Sequence, residues 1–157
     1  MVDLFQYNWD VREDWFTWCT FLSEEEFHKE RVGGMKSFRE TLIHIIDCEL
    51  VWLNAIFGER ITYECRESIY HLDDIKLYST YVQLLTKAFI ANVKPGDDER
   101  IIEVKRRDGS LRHFSQKKIV AHIITHEIHH IGQLSVWARE IGLKPVSSDL
   151  IIRNIYE

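Results

Sequence analysis

No apolar run in this 157-residue chain approaches the roughly 18 residues that a membrane-spanning helix needs. Nor does a basic start lead into a secretory apolar segment, because Asp3, Asp10, Glu13 and Asp14 come too early. These absences point to a soluble cytoplasmic protein with no membrane partner. Basic charge is also short. Twenty Lys and Arg face 25 Asp and Glu, a net charge of −5, which argues against nucleic acid as a main partner. The local cluster Lys105-Arg106-Arg107 reads as a solvated hairpin tip. Cysteine is sparse: Cys19, Cys48 and Cys65 are odd in number and form no CxxC, so they read as reduced thiols. Repeats, linkers and low-complexity segments are missing. A single domain over residues 1–157 follows, and at 45% apolar residues, with five Trp and eight Phe, it can bury a sizeable core.

Helical periodicity dominates what is present. In the segment Leu4 to Leu22, residues Leu4, Val11, Trp15, Trp18 and Leu22 form a core-facing stripe, with Asp3 as the expected N-cap. Phe5, Trp9 and Phe16 lie partly off that stripe. They either shoulder onto neighbouring helices or face a second subunit. After Gly33-Gly34, Ser37-Phe38-Arg39-Glu40 has a capping-box pattern. It opens a second helix to about Phe57, stopped by Gly58. Phe38, Leu42, Ile45, Trp52 and Ile56 make its stripe, and Glu49 interrupts it. A third helix, about Leu72 to Val93, carries Ile75, Tyr78, Val82, Leu85, Phe89 and Val93, and ends at Pro95-Gly96. Arg100–Arg106 and Ser110–Phe114 are β-prone runs around Asp108-Gly109, which predicts a two-residue hairpin. A last helix runs from Ser115 to Ile141, with Gly142 and Pro145 beyond it. The tail, Val146 to Glu157, reads as irregular chain packed along the helices by Leu150, Ile151 and Ile152. The fold class is all-α, an antiparallel four-helix bundle with a short β-hairpin before the last long helix.

The last helix holds the chemistry. Four of the eight histidines, His122, His126, His129 and His130, fall within it. Residues four apart on a helix share a face, so His122/His126 and His126/His130 can each aim two imidazoles at one point. Neutral imidazole ligates zinc, nickel, iron and copper. The rival reading is a set of buried, hydrogen-bonded histidines among Ile119, Ile123, Ile124, Ile128, Ile131 and Leu134. Each imidazole left unsatisfied there would cost about 1–3 kcal/mol, and four are hard to satisfy without a metal. A third ligand must come from His28, His44, His71 or His113. Of these, only His44 sits inside a helix that packs on the core. Two helical histidines plus one from another helix leave open coordination positions, the mark of a catalytic site.

Two pieces of the chain resemble the DinB superfamily, the DinB/YfiT-like metal-dependent proteins. One is Leu42-Ile43-His44 with Glu49 and Trp52. The other is Ile119 to Gln133, containing His126-Glu127-Ile128-His129-His130-Ile131-Gly132-Gln133. The sequence departs from the family pattern at Ile131, where arginine is usual. The resemblance implies an antiparallel four-helix bundle holding one divalent metal ion (zinc, nickel or iron) on His44, His126 and His130. It also implies a homodimer and a small-molecule substrate. Its chemistry would be a thiol S-transferase with a low-molecular-weight thiol cosubstrate, or a hydrolase. No further catalytic residue is assigned.

Two alternatives stand beside that one. His126-Glu127-Ile128-His129-His130 spells HExxH, in which Glu127 would be the general base of a zincin. The expectation here is instead that Glu127 is structural or orients an imidazole. The second alternative is a non-catalytic metal- or small-ligand-binding dimer with a role in stress.

Overall fold

Four long helices carry most of the computed structural model, which describes residues 1–155. They are α1 (Leu4–Cys19), α3 (Phe38–Phe57), α4 (Leu72–Asn92) and α5 (Gln116–Glu140), with a short α2 (Glu24–His28) after the first. Strands β1 (Ile101–Lys105) and β2 (Leu111–Ser115) pair antiparallel, with Ile101 opposite Ser115 and Lys105 opposite Leu111. Helix α3 packs on α4 and α5, and α1 packs on the same two. No helix among the described residues is long and apolar enough to cross a membrane.

Local chemistry explains the boundaries. Ser37 and Ser115 each accept a hydrogen bond from the backbone N–H three residues on, at Glu40 and Lys118. Gly58 ends α3 in the left-handed region at φ 71°, where a Cβ is penalised. Asp3, expected to cap α1, makes no such bond. Its own backbone is already helical, and Leu4 and Phe5 donate to the Met1 and Val2 carbonyls, so tight turns take up the first amides. Helix α1 stops at Cys19 rather than Leu22. Phe21 and Leu22 continue it with tighter three-residue bonds to Trp18 and Cys19.

The sequence also hides α2. Ser23 accepts from the Glu26 N–H, and the acids Glu24, Glu25 and Glu26 fill its first turn, where they complement the helix dipole. The hairpin loop is longer than two residues. The Arg106 N–H bonds to the Ser110 carbonyl and the Gly109 N–H to the Arg106 carbonyl, so Arg107, Asp108 and Gly109 form a three-residue loop. Gly109 takes its left-handed position at φ 83°.

One apolar core joins the helices. Trp15, Phe38, Leu42, Ile46, Leu53, Ile75, Val82 and Leu134 are fully buried within it. Phe5, Trp9 and Phe16 are buried too, inside this one chain. Of the two readings of those aromatics, the packing is therefore intramolecular. The tail does not pack through Leu150, Ile151 and Ile152, which are exposed around a 3-10 turn. Val146 and Ile155 pack against the core instead, and polar contacts add to their hold: Tyr7 donates to the Ser148 carbonyl, Trp18 to the Lys144 carbonyl, and Arg153 pairs with Asp14. Tyr156 and Glu157 lie outside the described residues.

Candidate metal centre

His44 sits in the second turn of α3, and His126 and His130 are one turn apart on α5. The packing of α3 against α5 brings one ring nitrogen of each within 4.8 Å of the others. Nε2 of His126 and Nε2 of His130 are 3.3 Å apart. Two nitrogens each about 2.0–2.1 Å from a zinc ion, at a tetrahedral angle, would be separated by about that distance. The donor set is three neutral-capable imidazoles with no carboxylate among them, which suits zinc, nickel or iron.

Burial tunes these rings for ligation. His44 and His130 titrate below the usual imidazole range because burial disfavours the charged form, and His126 is lowered to about 4 by burial and by the surrounding imidazoles. All three rings are therefore deprotonated at neutral pH, the form that binds metal. His130 is oriented as well. Its Nδ1–H donates to Oε1 of Gln133 at 2.8 Å, which leaves the Nε2 lone pair facing His126 and His44. Gln133 is itself held from two sides. Its amide nitrogen donates to Nε2 of His129 at 3.1 Å, and Gly34 closes over it so tightly that an added Cβ would lie 2.4 Å from Oε1. Gly34 also needs its positive φ of 50°. Nδ1 of His126 is buried with no hydrogen-bond partner among the described residues.

The remaining histidines stand apart. His122 and His129 are exposed, as is Ile128, so this face of α5 is less buried than the run of isoleucines suggests. His28 pairs with Glu24, His71 caps α4, and His113 faces Glu103 across the hairpin.

Glu127 points away from the histidines. Both its oxygens are taken by Arg12, at 2.9 and 2.6 Å. Arg12 also donates to Glu49 at 2.7 Å and to Ser79 at 3.1 Å. Glu49 in turn accepts from Trp9 and Thr86. Arg12, Glu49 and Glu127 are essentially inaccessible to solvent. Burial alone would lower the Arg12 pKa, but the two carboxylates raise it above its usual value; burial raises the Glu127 carboxyl against the pull of Arg12. The cluster joins α1, α3, α4 and α5 and holds the two histidine-bearing helices in register. It leaves Glu127 with no free oxygen for a general base, as an HExxH zincin would require. The cluster went unread in the sequence. Its signal was there, as three charges set on otherwise apolar helix faces.

A cavity of about 840 Å³ opens onto His44 and His126. Its walls include Cys48, Trp52, Tyr63 and Tyr78. Cys48, one turn beyond His44, has its thiol pushed up to about 12, first by burial. It therefore stays protonated. Asp47 on the same wall accepts from Tyr78 and holds Arg66 through both oxygens.

Comparisons with known proteins bear on the family of the chain. The DinB family profile matches residues 1–154. The uncharacterized protein YizA of Bacillus subtilis (strain 168) is 39% identical over 155 residues, a match spanning 99% of this chain and 96% of that protein. An end-to-end match of this kind makes the chain a member of the DinB family.

Proposed function

We propose that this protein is a metal-dependent enzyme acting on small molecules, as a thiol S-transferase or a hydrolase. The single observation behind this reading is that three ring nitrogens converge within 4.8 Å, with two of the three residues, His44 and His126, lining a cavity. His44, His126 and His130 are the proposed ligands of one divalent ion. Such an ion supplies Lewis-acid chemistry, lowering the pKa of a thiol or of water. Three protein ligands leave room for a substrate.

The chain's own residues do the rest. Gln133 holds His130 in the required tautomer, the usual task of the groups that surround metal ligands. The Arg12–Glu49–Glu127 cluster fixes the spacing of α3 and α5. Trp52, Tyr63 and Tyr78 line the cavity and offer aromatic surface to a small substrate. We read the four long helices as an antiparallel four-helix bundle, a frame that builds metal sites from facing helices. The proposal extends to a homodimer in the cytoplasm. Its interface would lie elsewhere than Phe5, Trp9 and Phe16.

The test is metal-loaded, untagged protein assayed for thiol-dependent turnover of small electrophiles, together with the visible spectrum of a cobalt-substituted form. The transferase reading expects a small thiol to alter that spectrum and turnover to require the thiol. An unchanged spectrum with thiol-independent turnover favours the hydrolase. No turnover with zinc, nickel or iron leaves the non-catalytic binding dimer.

A further inference from the structure

A second, smaller cavity of about 380 Å³ lies under the hairpin, lined by Trp52, Val104, Arg106, Phe114, Lys118, Ile119 and His122. Trp52 and His122 also line the larger cavity. Their rings meet edge to face, 5.2 Å between centroids, and are the wall that the two spaces share. His122 is thus a wall residue rather than a member of the converging triad.

The chemistry of the small cavity is one-sided. Its apolar surface comes from Trp52, Phe114, Val104 and Ile119, with the Trp52 and Phe114 rings packed edge to face. Its charged lining residues are Arg106 and Lys118, both exposed and both cationic, and no acid among the described residues lines it. Lys118 sits beside Phe114, its Nζ 5.6 Å from the ring centroid. It also lies in the first turn of α5, which contains no acidic residue, so the positive end of the helix dipole adds to its charge. The larger cavity, by contrast, balances its arginines with Asp47, Glu64 and Glu67.

We propose that the small cavity receives the tail of the substrate, an aryl or short alkyl group ending in a carboxylate. The substrate class is then a small molecule with three parts: an electrophilic or hydrolysable group at the histidines, an apolar spacer passing Trp52 and His122, and a terminal anion at Arg106 and Lys118. The assignment of the reactive end rests on the function proposed above. The tail subsite does not.

The test uses 4-phenylbutyrate, 4-phenylbutanol and 4-phenylbutylamine, titrated calorimetrically into the full-length protein and into His126→Ala. The acid should bind about tenfold more tightly than the amine, as expected for two solvent-exposed ion pairs, with the alcohol between them. The Arg106→Glu/Lys118→Glu double variant should reverse the order. Both side chains are exposed, so the fold should survive. His126→Ala should bind the acid as the parent does, which separates this subsite from the fate of the metal reading. Equal affinities, preference for the amine, no binding of any probe, or an order unchanged in the double variant would each overturn the proposal.

Discussion

At the scale of single residues, Gln133 and Gly34 decide how well His130 can serve as a ligand. Gln133→Ala removes the acceptor for Nδ1–H of His130 and should weaken metal affinity by about 10–100-fold with the fold intact. Gly34→Ala should weaken it too, because the new Cβ would collide with the Gln133 carboxamide. Competition with a chromophoric chelator reads both variants. Gln133→Ala binding metal as tightly as the parent would remove the orienting role.

The imidazoles also set a pH dependence. In the unfolded chain they titrate near 6.5, whereas His126 in the folded chain titrates near 4. Between those values the unfolded chain takes up protons that the folded site refuses. The metal-free protein should therefore lose stability as pH falls from about 6.5 toward 4, and the contribution should be constant above that window. Thermal melts across the range should show a Tm that declines on acidification, and more steeply in the parent than in His126→Leu. Equal slopes in the two proteins would contradict the assigned burial of His126.

At the scale of elements, the buried charges explain how four helices hold one register. Arg12→Leu leaves Glu49 and Glu127 buried without their cation, and should cost about 3–5 kcal/mol in chemical denaturation. Glu127→Gln keeps the shape and leaves Arg12 paired with Glu49, so it should retain fold and metal with a smaller loss. If Glu127→Gln abolishes turnover while metal and fold persist, the zincin reading returns.

The helices themselves were largely legible. Ser37, Gly58 and Ser115 carry boundary signals that act within a few residues, and a periodic apolar stripe marks each buried face. What escaped reading depends on partners far along the chain. Glu49 breaks an apolar stripe for no local reason, because its partner Arg12 is 37 residues earlier. The aromatics of α1 looked too many for one stripe because helices press on it from more than one side. The tail's run Leu150 to Ile152 suggested packing, yet its hold comes from Val146 and Ile155 on either side and from backbone carbonyls and Arg153, which leave no periodic trace.

At the scale of the whole molecule, the site exists only where α3 meets α5. The pair His126 and His130 could be read from helical spacing, but spacing left His122 as an equal partner. The third ligand rested on the pattern shared with a family, since helix packing is not written in any one segment. Gln133 and the cavity beneath the hairpin needed coordinates. The central claim is that this junction binds a divalent ion through His44, His126 and His130. It is tested most directly by elemental analysis of untagged protein and of its His44→Ala, His126→Ala, His130→Ala, His122→Ala and His129→Ala variants, with circular dichroism to confirm folding. The account predicts one equivalent of metal in the parent and in the last two variants, and none in the first three. Full metal in a folded His44→Ala, His126→Ala or His130→Ala, or its loss in His122→Ala, would contradict it.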